Sequence, residues 1–169
     1  AYEIRNCDWS SDVCSSDLIQ KELRYGAPVC DEILTGRYFT IGYSWYFRQA
    51  KWALEIVKPN ARFTWEAERS DNFRPDIRLP RRFRAGLNAY ANSGYDRGHL
   101  VASANQDELE VQNSETFLLS NMCPQKPGLN RGKWRELEEA VRKLNERPEI
   151  LETYVRSEEH TSELQSQFR

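Results

Sequence analysis

Apolar and polar positions first fall into a regular period near residue 37, where the chain reads RYFTIGYSW. Tyr38, Thr40 and Gly42 alternate with Phe39, Ile41 and Tyr43, and the aromatic and β-branched bias is that of a strand. QAKWALEIVKPN follows; it reads as a second strand closed by Pro59 and Asn60, with a short helix as the alternative. Over residues 63–93 the period is lost. Arg, Asp, Asn and Pro dominate, and Pro75, Pro80 and Gly86 interrupt any regular element. Such a long irregular loop inside a compact domain is often functional.

Periodicity returns in GYDRGHLVAS, where Gly94 and Gly98 bracket the charged residues and residues 100–102 read as a buried strand. ETFLLSNMCPQKPGLN predicts a short apolar strand at 116–119 and then a loop containing Pro124, Pro127 and Gly128. The best-defined element lies over 131–146, where strong helix formers place Trp134, Leu137, Val141 and Leu144 at helical spacing. Asn130 stands where an N-cap belongs, and Pro148 marks the end.

The flanks carry a different signal. Residues 8–18, DWSSDVCSSDL, and 156–166, RSEEHTSELQS, are translations of the two strands of one sequencing-adapter oligonucleotide. Residues 1–18 and 156–169 are therefore expected to be adapter-derived and are set aside from fold reasoning. That leaves 19–155 as part of one domain, with both natural termini expected to lie beyond it. No apolar run in this segment approaches a membrane span.

Setting the flanks aside changes the charge. The 169-residue chain has 24 basic and 26 acidic residues; without the flanks three basic and seven acidic residues go, and the net charge moves from −2 to +2. Distribution is more informative than the sum. Arg62, Arg69, Arg74, Arg78, Arg81, Arg82, Arg84 and Arg97 lie in one stretch, and arginine offers a planar fork of donors suited to phosphate. The same stretch also fits a solvated basic surface. Only Cys30 and Cys123 remain, without the spacing of a zinc site. His160 falls in the flank, so His99 is the one histidine of the central segment.

At about 100° per residue, Asn130 points in nearly the same direction as Trp134, Leu137 and Val141, with Glu138 at the edge of that stripe. A helix packed on the DRGHLVAS strand would turn Asn130 and Glu138 toward His99. Equally compatible with the spacing is a capping Asn130 with a solvated Glu138. The first arrangement suits phosphodiester hydrolysis. A neutral imidazole, with an ordinary pKa of about 6.5, takes a proton from attacking water. A hard divalent cation on oxygen ligands stabilises the charge on the phosphorus and leaving oxygen.

SGYDRGHLVASAN followed by ETFLLSNMCPQKPGLNRGKWRELE resembles the DNA/RNA non-specific endonuclease family, the endonuclease G-like ββα-metal nucleases. YGAP, YFTIGYSWYFRQAKWALE and RSDNFRPD upstream are similar to that family too, so the resemblance runs over 26–155. It implies an α+β fold of ββα-metal (His-Me finger) type, a mixed sheet with a metal-site helix, incomplete at the C-terminus. It implies hydrolysis of DNA and RNA with little sequence preference and 5′-phosphate products. Carried onto this chain, it makes His99 the general base and Asn130 the direct protein ligand of one Mg²⁺, with Mn²⁺ as a substitute. Glu138 becomes an outer-shell partner acting through the metal's waters. Asn121 helps order the site, Arg97 lies near the phosphate, Asp96 has a supporting role, and Gly98 permits close approach. Arg69 is favoured as the arginine that reaches the scissile phosphate, with Arg74 as competitor.

The resemblance further implies DNA and RNA as partners, a homodimer as in many members, and a secreted or periplasmic location. Rival readings are a catalytically inactive nucleic-acid-binding domain of the same fold, an interaction domain in which Asn130 only caps, and a sugar-selective or toxin nuclease.

Overall fold

The computed structural model describes residues 21–57 and 67–158. Three strands follow one another early: β1 (Glu32–Thr35), β2 (Phe39–Ser44) and β3 (Gln49–Val57). Both expected strands are present, and the second is a strand rather than a helix; its expected close at Pro59 and Asn60 lies outside the described residues. With β6 (Thr153–Glu158) they form one antiparallel sheet in the order β1-β2-β3-β6. Residues 156–158, read above as flank, continue β6 opposite Trp52, Ala53 and Leu54. Ladder bonds are made by backbone, so they tolerate many side chains.

All six residues of β2 are buried, which is why this strand lacks an exposed polar face. Its register slips between Gly42 and Tyr43, where β3 bulges. A Cβ on Gly42 would stand 1.9 Å from Cε2 of Trp52, so the strand approach exists only because residue 42 has no side chain. Trp52 is held there by its indole N–H, which donates to the Pro28 carbonyl at 3.0 Å.

A second, two-stranded ribbon pairs β4 (Asp96–His99) with β5 (Met122–Gln125), also antiparallel. Sequence reasoning located these strands imperfectly. The charged motif is itself the strand, and residues 100–102 are buried just beyond its end. Residues 116–119 are not a strand either. They close helix α1 (Glu110–Thr116) and lead through a short turn of 3₁₀ helix at Leu119–Asn121 into β5. Backbone pairing is reduced to one bridge, Arg74 to Leu118, beside side-chain bonds: Thr116 Oγ1 donates to the Asn113 carbonyl, and Asn121 Nδ2 donates to the Thr116 carbonyl.

The core joins the two sheets. Leu34, Phe39, Ile41, Tyr43 and Ala53 pack with Leu100 and Val101 from the end of β4 and Cys123 from β5. The basic segment beyond residue 66 is irregular as expected but not loose. Asp76 is buried and accepts a fork from Arg78 at 2.6–3.2 Å and a hydrogen bond from Ser120 at 2.6 Å. Burial opposes its charge, yet these donors hold its carboxyl below the usual range. No helix among the described residues is long and apolar enough to cross a membrane.

Gly42→Ala drives a methyl into the buried Trp52 ring, an overpacking that costs about 1–3 kcal/mol. Urea unfolding should show the midpoint lowered with the slope unchanged.

Candidate active site

β4 ends on His99, and β5 supplies its cross-strand partner, Met122. Asn121, one residue before β5, fixes the turn that follows. Its Oδ1 accepts from the Val101 amide at 3.0 Å, its Nδ2 donates to the Val101 carbonyl at 3.0 Å, and its own carbonyl accepts from the Leu100 amide. Asn121 is fully buried, so it orders the backbone behind His99 and does not face the cleft. Gly98 also has a different reason from the expected one. A Cβ there would meet Gln125 Cδ at 2.2 Å, so the room at Gly98 is filled by the buried Gln125 side chain and not by substrate.

The helix starts earlier than the sequence suggests. Residues 127 and 128 are already helical, a π-helical turn runs over Leu129–Trp134, and α2 (Arg135–Asn145) completes it. Pro127 opens it, a position where its missing N–H is no loss. Asn130 is therefore no N-cap: it sits inside the helix, its amide donating to the Lys126 carbonyl at 2.9 Å. The expected core stripe is corrected as well. Trp134 packs on the core, whereas Leu137 and Leu144 are 55% and 40% exposed. The helix meets the ribbon through its polar face, so Leu137 and Val141 overlook an open groove of about 490 Å³ beside β6.

Two cross-links set the helix against β4. Arg131 donates through Nε and Nη2 to the two oxygens of Asp96, both at 2.8 Å, and Asn130 Nδ2 donates to Asp96 Oδ2 at 3.0 Å. The Arg131 bonds, aided by Asn130, hold the Asp96 carboxyl below its usual range. Farther along, the Trp134 indole N–H donates to the His99 carbonyl at 3.0 Å. Because only an amide nitrogen can donate to Asp96, the orientation of Asn130 is fixed with Oδ1 as its remaining acceptor.

Arg69, Arg97, His99, Asn130 and Glu138 line one cavity of about 370 Å³. Arg74 does not line it; its guanidinium is tied to the Asn72 side chain and to the carbonyls of Asn72 and Ser114. Arg69 donates to Asp71 and Ser103, both at 2.8 Å, and lies over the Phe117 ring. Arg97 lies over Phe73 at 3.9 Å. Phe73 and Phe117 also flank the imidazole, with centroids 5.8 and 5.0 Å from its own.

That environment dictates the charge states. Burial, assisted by Arg69 and Arg97, pushes the His99 pKa down to about 3, so the imidazole is neutral at ordinary pH. Its Nε2 is buried and has no hydrogen-bond partner. Burial raises the Glu138 pKa to about 7 against the pull of Arg142. Asn130 Oδ1 and the Glu138 carboxylate are oxygen donors of the kind that could hold a hard cation in this cavity.

Sequence reasoning missed Arg131, Ser103 and Arg142, which also line the cavity. Arg142 lies four residues after Glu138, a spacing that puts both on one helix face and could have flagged it. Ser103 carried no sequence signal.

Comparison with known proteins identifies the family. A family model described as DNA/RNA non-specific endonuclease matches residues 15–157. The chain belongs to the DNA/RNA non-specific endonuclease family. Among relatives, mitochondrial endonuclease G of Caenorhabditis elegans is 33% identical over 138 residues, covering 79% of this chain and 44% of that protein. The human mitochondrial endonuclease G is 34% identical over 122 residues, covering 72% and 41%. A nuclease of Nostoc sp. is 45% identical over 86 residues, covering 50% and 31%. A crystal structure of an EndoG/EndoGI complex superposes with TM-score 0.72 at 31% identity, covering 80% of this chain and 56% of that one. The ββα-metal fold expected of the family is thus the fold seen, and the chain spans less than half the length of these curated relatives. The family's arrangement of two strands and a helix corresponds here to β4, β5 and the helix through α2.

Since the folded His99 binds its proton only near pH 3, the unfolded chain takes it up first, around pH 6.5. The stability due to neutral His99 is complete above that pH and declines as pH falls toward 3. Imidazole NMR shifts of His99 should stay flat from pH 8 to pH 5; a midpoint near 6.5 would contradict the burial described.

Proposed function

We propose that this chain carries the catalytic part of a metal-dependent endonuclease that hydrolyses phosphodiester bonds of DNA and RNA without sequence preference. The observation that carries this reading is the neutral, buried His99 with an unpartnered Nε2, in a cavity shared with two arginines, an oriented amide oxygen and a carboxylate. The His99 imidazole accepts the proton as water attacks phosphorus in line. The P–O3′ bond breaks, leaving a 5′-phosphate, and the 3′ oxygen takes a proton from solvent. Arg69 and Arg97 bind the phosphate and neutralise its growing charge. Asn130 Oδ1 and, through water, Glu138 would hold one Mg²⁺, with Mn²⁺ as a substitute. The bound cation supplies charge stabilisation at the leaving oxygen. Asp96 orients Asn130, and Asn121 fixes the backbone behind the base. Weak sequence preference follows from contacts to phosphate, which carries no base identity.

Family membership supports the rest of the reading: a homodimer, checked by sedimentation velocity, and a secreted or periplasmic location, checked by following the full-length gene product. Several relatives carry the label mitochondrial.

His99→Ala in a folded protein should lower Mg²⁺-dependent plasmid nicking and RNA degradation by about 10²–10⁴-fold. Nucleic-acid binding without any cleavage in the metal-loaded parent protein would instead identify a catalytically inactive binding domain. Glu138 must be ionised to serve a cation, so titration calorimetry should show Mg²⁺ affinity rising through pH 7 with proton release. A pH-independent affinity would remove Glu138 from the metal site.

A further inference from the structure

The largest cavity described, about 710 Å³, is not the catalytic one. It lies between the β2–β3 turn and the irregular basic segment and is lined by Phe47, Arg48, Arg81, Arg84, Tyr90 and Pro124, among others, with no carboxylate in its wall. Arg84 spends its guanidinium on the carbonyls of Ile77 and Leu79. Arg48 and Arg81 are exposed, and among the described residues neither forms an ion pair. Arg82, next to them, is exposed and lies over the Phe83 ring at 4.5 Å.

Aromatic faces accompany these cations. Tyr46 is 87% and Phe47 64% exposed at the tip of the turn, while Trp45 is stacked on Phe83 with centroids 5.0 Å apart. Arg48 closes the turn at φ 53°, the left-handed region that glycine or asparagine ordinarily fills. An arginine kept there, beside bare aromatic rings, is a local cost without a packing return.

The cavity also lies next to the catalytic cleft. Pro124, in its wall, is the cross-strand partner of Arg97, in the cleft's wall, and partners across a ladder share one face. Tyr90 and Phe73 pack on the same small cluster of Ala85, Leu119 and Met122, and Phe73 carries the Arg97 guanidinium.

We propose that this second groove binds the single-stranded continuation of the polynucleotide whose phosphate occupies the cleft, with Arg48 and Arg81 on its phosphates and Tyr46 and Phe47 against its bases. The proposal rests on the nuclease reading for its ligand. Cations alternating with open aromatic rings are the chemistry of single-strand binding, since unpaired bases stack on rings without regard to sequence. The groove wall itself, with arginines and no carboxylate, matches a polyanion better than a second copy of the chain.

The test uses Arg48→Ala/Arg81→Ala and Tyr46→Ala/Phe47→Ala double variants, checked for folding by circular dichroism. Fluorescence anisotropy with a labelled 20-nucleotide oligo(dT) is run in chelator, so that binding is read without cleavage. Each variant should bind about tenfold more weakly, and loss of two phosphate contacts should flatten the log–log salt dependence by about 1.4. Cleavage of a four-nucleotide substrate, which reaches the cleft alone, should keep the KM and kcat of the parent protein. Unchanged affinity and salt dependence would overturn the proposal, as would an equal KM rise on the short substrate or a parent dimer that the variants abolish. A parent that binds the oligonucleotide through these residues yet never cleaves would sink the nuclease reading while leaving the groove's ligand in place.

Discussion

Asp96 is gripped by the helix on both of its oxygens, by Arg131 and by Asn130. The geometry of the cleft hangs on that grip and on the Trp134 bond to the carbonyl of His99, because His99 and Asn130 sit on separate elements. Neither link is chiefly a matter of stability. Arg131 is 72% exposed, and an ion pair with one solvated partner contributes little to stability. What the pair does is fix a distance and an orientation: the strand-borne carboxylate takes the nitrogen of the Asn130 amide and leaves its oxygen free.

The same logic explains why the cleft is walled by aromatic rings. Phe73 and Phe117 dry the imidazole and also carry Arg97 and Arg69, so one pair of rings excludes water and aims charge. A protonated His99 would add a third cation to that wall. Holding it neutral keeps it a proton acceptor, at the cost of an Nε2 with no internal partner. In the buried network behind the cleft Glu55 accepts from Asn105 and Gln106 at 2.8 and 2.9 Å and Asn105 accepts from Arg142, while Gln112 Oε1 at its edge likewise has no partner.

Legibility in the sequence followed the range of the forces involved. The strands at 39–44 and 49–57 announce themselves by local periodicity and aromatic bias, and the helix by its spacing. The site residues were legible through motif resemblance, and His99, Asn130, Glu138, Arg97 and Arg69 do converge. The failures were tertiary. Asn130 resembles a cap only if one ignores Pro127, which begins the helix earlier, and Leu137 resembles core only if a helix must bury its apolar stripe. The stretch at 116–119 has a strand's composition, yet the Thr116 hydroxyl turns back to the Asn113 carbonyl and Asn121 Nδ2 captures the Thr116 carbonyl. Gly98 looked like space for substrate, whereas the occupant is Gln125, a residue 27 positions away.

β6 stands at the rim of the four-stranded sheet, and beside it Leu137 and Val141 leave apolar surface open. A rim strand offers its outer row of amides and carbonyls to any extended chain that arrives. In a longer polypeptide that row is a docking rail for more sheet; in this segment by itself, at high concentration, the same rail recruits neighbours. The apolar groove between β6 and α2, on the side of β3 away from β2, runs directly beside that row.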